Sequence, residues 1–202
     1  MRLVAVSAGL SVPSSTRLLA DRLTEAVREG LGDQNRTLEV EVIELRTLAV
    51  AIANHLVTGF PPPPLAAAIT ALTGADGVIA VTPVFSASYS GLFKSFLDLI
   101  DPDALAGKPV LLAATGGTGR HSLVLEHALR PLFAFLRAVT LPTAVYAASE
   151  DWGTGSDTYT QGLPARVRRA GAEMASMLVS GATGPVQGRA ADGKQLSDLR
   201  LD

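Results

Sequence analysis

The segment that decides the fold is residues 3–27, which read LVAVSAGLSVPSSTRLLADRLTEAV. It opens with the short apolar run 3–6, which is typical of a strand buried on both faces. A loop of small and hydroxyl residues follows, and the hydroxyls at 14–16 can cap a helix because they accept hydrogen bonds from the free amides of its first turn. Gly30 and Gly32 end that helix. The segment therefore predicts a strand–loop–helix unit.

The rest of the chain repeats this alternation. Further strands are predicted at 38–43, 77–81, 109–114 and 139–147. Further helices are predicted at 65–73, after a stiff proline loop, and at 90–100, 122–136 with a bend at Pro131, and 165–178. Alternating strands and helices favour a parallel sheet covered on both faces. The sequence predicts an α/β three-layer sandwich with a five-stranded parallel sheet, in one domain over residues 1–180, and a flexible tail over residues 181–202.

Composition excludes several classes of function. The chain has 202 residues, of which 48% are hydrophobic and 18% charged, and its net charge of −2 gives no basic surface for nucleic acid. Its apolar stretches are too short to cross a membrane, and its start lacks a secretion signal. Cysteine is absent and the three histidines are scattered, so we expect no metal site and a cytoplasmic location.

Three loops of unusual composition follow three of the predicted strands, at 7–17, 82–90 and 115–121. Ligands of open parallel sheets bind beyond the carboxyl ends of the strands. We therefore expect these loops, although distant in sequence, to meet at one edge of the sheet.

The first loop is suited to a phosphate group. Backbone amides at a helix N-terminus, surrounded by hydroxyls, form a set of donors for a phosphate dianion, and a nearby guanidinium would add charge. The candidate residues are Ser11, Ser14, Ser15, Thr16 and Arg17. The simpler alternative is that the serines only cap the helix.

The second and third loops are suited to a flat heteroaromatic ring, which needs backbone donors in its plane and an apolar surface on one face. The candidates in the second loop are Pro83, Val84, Phe85 and Ser86, and the third loop, 115–121, contains three glycines. Glycines let the backbone approach a ligand closely. Each loop also has a simpler explanation, since aromatic residues pack and glycines form turns.

At these loops the chain resembles the NADPH-dependent FMN reductase family, whose fold is flavodoxin-like. The resemblance covers residues 1–148 approximately and is carried by residues 7–17, 82–94 and 114–121. It implies that Ser14 and Thr16 bind the FMN phosphate and that 83–86 hold the isoalloxazine ring. It also implies that Thr115, Gly116 and Gly117 line the other edge of that ring. Leu10 and Val12 stand where the family usually has a serine and an arginine. Ser11 and Arg17 would take over the roles of these two residues.

The resemblance further implies an oxidoreductase that passes hydride from NADPH or NADH to FMN, with no catalytic side chain. The branch that it resembles most supplies reduced FMN to flavin-dependent monooxygenases, and it implies a homodimer or homotetramer. Phe93, Phe96 and Leu97 are candidates for a subunit contact or for the protein's own core. Trp152, in a polar loop, is a candidate for covering a site or a neighbouring subunit.

Three alternatives remain open. A quinone or azo-compound reductase would share the hydride step and differ only in its acceptor. A flavodoxin-like electron carrier would retain FMN, although the acidic surface and phosphate loop of flavodoxins are missing. A regulatory module with an empty flavin site would explain Leu10 and Val12.

Overall fold

The protein is described by a computed structural model that covers residues 1–32, 37–153 and 162–181. The predicted tail therefore lies outside the described residues, apart from Gly181. The elements, in chain order, are β1 (Arg2–Ser7), α1 (Ser15–Leu31), β2 (Glu39–Glu44), α2 (Leu45–Thr58), α3 (Pro63–Thr73), β3 (Gly77–Phe85), β4 (Ser88–Tyr89), α4 (Gly91–Leu97), β5 (Pro109–Gly116), α5 (Arg130–Phe135), β6 (Val139–Thr140), β7 (Val145–Ala148) and α6 (Leu163–Gly181).

The central sheet is parallel and follows the order β2-β1-β3-β5-β6, with β7 also beside β5. This order is the flavodoxin-like one, with the fifth position shared by two short strands. Helices α1 and α6 cover one face, and α2, α3, α4 and α5 contribute to the core on the other. The predicted α/β sandwich with five parallel strand positions is confirmed.

The prediction of one continuous strand over 139–147 was wrong. Pro142 has no amide to donate to a ladder, and the strand is interrupted between β6 and β7. At the break, side chains from α5 and α6 form the hydrogen bonds that backbone groups of the strand would otherwise lack. Arg130 donates to the Leu141 carbonyl at 3.0 Å, and Glu173 accepts from the Thr143 amide at 3.0 Å.

Two helices also differ from the prediction. The sequence pattern predicted no element at α2 (Leu45–Thr58), which is a helix in the structure and buries only Leu45 and Ile52. The predicted helix 122–136 is α-helical only over α5, since a π-helical turn at Leu125–Leu129 precedes it. There the Arg130 amide bonds to the Leu125 carbonyl, one residue further back than in an α-helix.

Three apolar residues of α4, which the sequence assigned either to a subunit contact or to the core, lie in the core. Phe93, Phe96 and Leu97 are buried against the protein's own sheet, where Phe93 packs between Tyr89 and Phe133. They therefore stabilise the fold of this chain itself.

Candidate functional site

A cleft of about 500 Å³ lies at the carboxyl edge of the sheet, where β1, β3, β5 and β7 end. Ten of the twelve predicted residues line it: Ser11, Ser14, Ser15, Thr16, Pro83, Val84, Phe85, Thr115, Gly116 and Gly117. Its lining also includes Gly9, Leu10, Ser149 and Trp152, while Arg17 and Ser86 are not part of it. The fold therefore brings the three predicted loops together.

The first loop is folded tightly against the start of α1. Ser14 is the N-cap, and its hydroxyl accepts a hydrogen bond from the Arg17 amide at 3.2 Å. A Cβ on Gly9 would stand 2.0 Å from that hydroxyl oxygen, so only glycine fits there. Ser15 and Thr16 are the first two helical residues, and amides at these positions have no partner within a helix. They give the cleft two backbone donors at the positive end of the helix dipole.

The first and third loops are joined by a buried hydrogen bond between the hydroxyls of Thr16 and Thr115, 2.8 Å apart. The third loop is fixed in turn by Tyr146, whose hydroxyl donates to the Thr118 carbonyl at 2.8 Å. Burial raises the pKa of Tyr146, and the charges of Glu150 and Asp151 act in the same direction. The phenol therefore stays protonated as a donor.

The second loop is a hairpin of β3 and β4, in which Val84 pairs with Tyr89. Its two central residues, Ser86 and Ala87, have φ of 48° and 64°, the conformation of a type I′ turn. Such angles are unusual for an alanine. The base of the hairpin is closed by the buried hydroxyl of Thr82, which accepts from the Ser90 amide at 3.0 Å.

Arg17 points away from the cleft because of its position in the helix. Two residues after Ser15 it lies about 200° around the axis. Its guanidinium pairs with Asp21 at 2.8 Å and with Glu44 at 2.6 Å. The hydrogen bond to Asp21 is the main cause of a raised Arg17 pKa, despite some burial. A phosphate contact by Arg17 stays a prediction, as does the role of Ser86.

Two further residues of the cleft are Ser149, for which the sequence predicted no role, and Trp152, which it indicated as a candidate for covering a site. Both lie on a 3₁₀ turn that begins directly after β7. The rule that ligands lie beyond strand ends indicates this turn too, because the predicted fifth strand already ended at residue 147, one residue before the end of β7. The Cζ atom of Arg22 lies 4.9 Å from the centroid of the Trp152 ring.

The cleft has room for a planar ligand beside the third loop. A Cβ on Gly117 would meet no protein atom within 4 Å, although Gly117 lines the cleft, so its missing side chain leaves open volume. Within the described ranges, the structure contains no group of three His, Cys, Asp or Glu side chains able to hold a metal ion. No helix of those ranges is both long and apolar enough to span a membrane.

A flavodoxin-like sheet with hydroxyl and backbone N–H donors at the first loop and an open cleft beside the next two is typical of the class of flavin-binding α/β proteins. The model of the NADPH-dependent FMN reductase family matches residues 1–153. The chain belongs to this family. The predicted enzyme class, its FMN reductase activity and its use of FMN and a reduced nicotinamide are thereby confirmed.

Individual relatives agree with the family. An FMN reductase (NADPH) from Pseudomonas aeruginosa is 44% identical over 89% of this chain and 93% of its own length. The NADH-dependent FMN reductase SfnF from Pseudomonas fluorescens is 42% identical over 88% of this chain and 91% of its own length. A crystal structure of an oxidoreductase from Corynebacterium diphtheriae superposes with a TM-score of 0.83 at 45% identity, covering 89% of this chain and 97% of that one.

Proposed function

We propose that the cleft binds FMN with its phosphate at the start of α1 and its ring between the second and third loops. The observation that carries this proposal is the convergence of the hydroxyls and amides of the first loop with the open slot at Gly117. Ser11, Ser14, Ser15 and Thr16 would hold the phosphate. Arg17, which is paired with Asp21 and Glu44, would have to leave these carboxylates to add its charge. Pro83 to Ser86 and Thr115 to Gly117 would hold the ring.

The protein's part in the reaction is to position the reactants. When bound, FMN supplies the acceptor for a hydride from the reduced nicotinamide. The apolar side chains of Pro83, Val84 and Phe85 would exclude water from one side of the ring. Backbone amides of the loops would stabilise negative charge on it. No amino-acid acid or base is needed for hydride transfer itself.

We further propose that FMN exchanges between the cleft and solution, so that a flavin-dependent monooxygenase receives it reduced. Leu10 and Phe85, two apolar residues of the lining, are 53% and 47% exposed. The flavin ring would bury this exposed apolar surface, which favours binding. Exchange is supported by the relatives named as FMN reductases, a name that makes FMN the substrate rather than a retained group. These relatives favour a reductase over an electron carrier.

The test is anaerobic mixing of the FMN-loaded protein with NADPH or with NADH, followed by rapid filtration. We expect bleaching of the flavin absorbance by at least one nicotinamide, and reduced FMN in the filtrate. An absence of bleaching with both nicotinamides would refute the reductase. Bleaching with all flavin retained by the protein would favour the carrier instead, and faster turnover with a quinone or an azo dye than with FMN would favour the rival reductases.

We also propose a homodimer or homotetramer located in the cytoplasm. The support for an oligomer is a group of strongly exposed apolar side chains on α2 and just after it, Val50, Val57 and Phe60. The support for the location is the absence of cysteine. Light scattering of the wild type and of Val57→Asp tests the assembly, and a mass of one chain for the wild type would contradict it.

A further inference from the structure

A pair of side chains at the edge of the cleft has no part in the function described so far. Trp152 lines the cleft, and the guanidinium of Arg22 is stacked on its ring, with Cζ 4.9 Å from the ring centroid. Such cation–π pairs are favourable and fix the position of a flexible arginine.

The helix directs Arg22 towards the first loop. Arg22 follows Ser15 by seven residues, about two turns, so the two side chains share one face of α1. Helical side chains also tilt towards the N-terminus. The guanidinium therefore leans towards the end of α1 where Ser15 lines the cleft, on the side that Arg17 turns away from.

The turn that carries Trp152 is held on three sides. Asp151 accepts a hydrogen bond from the Ala148 amide at 2.7 Å and pairs with Arg166 of α6. Glu150 accepts from the Gly119 amide of the third loop at 3.3 Å. Arg22 adds the contact to α1. The position of Trp152 in the cleft lining is therefore fixed, and the Arg22 guanidinium lies over its ring.

The two arginines of α1 near the cleft differ in how their charge is used. Arg17 is paired with two carboxylates, whereas Arg22 forms no salt bridge with any residue that the structure describes. A guanidinium that is held in place but not neutralised is the group that a phosphate dianion prefers.

The geometry points to Arg22, held against Trp152, as the cation that recognises the phosphate monoester of FMN. This inference rests on the proposed function, because it assumes that the phosphate lies at the start of α1. Arg22 makes the cleft selective for FMN over riboflavin, which has the same ring without the phosphate, and Trp152 is the positioning residue for Arg22.

The test compares Arg22→Met and Arg22→Lys with Arg28→Met, a matched control on the same helix whose arginine pairs with Glu25 at 3.0 Å. Dissociation constants are measured for FMN and riboflavin from flavin fluorescence. The emission of Trp152 is followed in parallel, since it is the single tryptophan of the chain. The same titrations are made at low and at high salt.

We expect Arg22→Met to raise the Kd for FMN about tenfold, as for a lost charge-assisted hydrogen bond, and to leave the Kd for riboflavin unchanged. Arg22→Lys keeps part of the preference for FMN over riboflavin, and Arg28→Met keeps all of this preference. High salt weakens the binding of FMN and leaves that of riboflavin unchanged. Trp152→Leu lowers the preference for FMN by freeing Arg22.

Two results would overturn the inference: equal losses for both flavins in Arg22→Met, or no loss for either. If that variant does not fold, the salt dependence of the wild type decides instead, and equal salt dependence for FMN and riboflavin would overturn the inference. If the wild type binds neither flavin, the proposed function itself fails, and this outcome is distinct from the others.

Discussion

The two ends of α1 show two different uses of glycine. At its C-terminal half, Gly171 of α6 packs so closely on Ala26 that an added Cβ would lie 2.5 Å from the Ala26 carbonyl carbon. At its N-terminal end, across the cleft, a Cβ on Gly117 would meet no protein atom within 4 Å. The first glycine lets two helices touch, whereas the second is exposed and borders the open volume of the cleft. Protein fills the space at one end of the helix, and the cleft is open at the other.

The largest effect on stability is expected where Gly171 of α6 packs on Ala26 of α1. Gly171→Ala places a methyl group against the backbone of α1, and the helices must separate. We expect a loss of about 3 kcal/mol in the free energy of unfolding, at the upper end of overpacking costs. Urea unfolding measures it, with Gly181→Ala as control because a Cβ there meets nothing within 4 Å. A variant as stable as this control would show that the two helices are not in close contact.

A smaller effect is expected at Ser14, which is both the N-cap of α1 and part of the cleft lining. Ser14→Ala removes the cap, which costs about 1 kcal/mol of stability. It also removes a hydroxyl at the proposed phosphate position, so FMN binding weakens more than riboflavin binding. Urea unfolding and flavin titration measure the two effects separately. Equal weakening for both flavins would mean that Ser14 serves only the helix.

The smallest effect is expected away from both ends of α1. The bidentate hydrogen bonds from Arg130 lower the pKa of Glu126. A lowered folded-state pKa stabilises the fold above the unfolded value of about 4.3, and this contribution is lost as the pH falls through the folded value.

Because the Glu126 side chain is half exposed, Glu126→Gln costs at most about 0.5 kcal/mol at neutral pH. Urea unfolding of the variant and the wild type should show this difference disappearing in acid. A difference that persists below the lowered pKa of Glu126, where the carboxyl is protonated in both the folded and the unfolded state, would assign it to packing.

The sequence predicted those parts of the fold and cleft that depend on local pattern. The strands predicted at 3–6, 77–81 and 109–114 are contiguous apolar runs, and the carboxyl ends of parallel strands fall at one edge of the sheet. The rule that places ligands at that edge selected the three loops, and the family resemblance narrowed them to candidates, ten of which line the cleft.

The parts that were missed depend on partners far away in the chain. The break in the fifth strand is stabilised by Arg130 and Glu173, whose contact with it cannot be read from its own residues. The direction of Arg17 follows from helical geometry, but its carboxylate partner Glu44 comes from β2, on another element. Trp152 was noticed as unusual, and only the folded chain sets it beside the cleft with Arg22.

The most direct test of the central claim, that the open volume at the cleft is kept for flavin, is an FMN titration of Gly117→Ala beside Gly181→Ala. We expect both variants to unfold at the same urea concentration as the wild type. We also expect Gly117→Ala alone to lose about tenfold in FMN affinity, equivalent to about 1.4 kcal/mol. Wild-type FMN affinity in Gly117→Ala would contradict the claim.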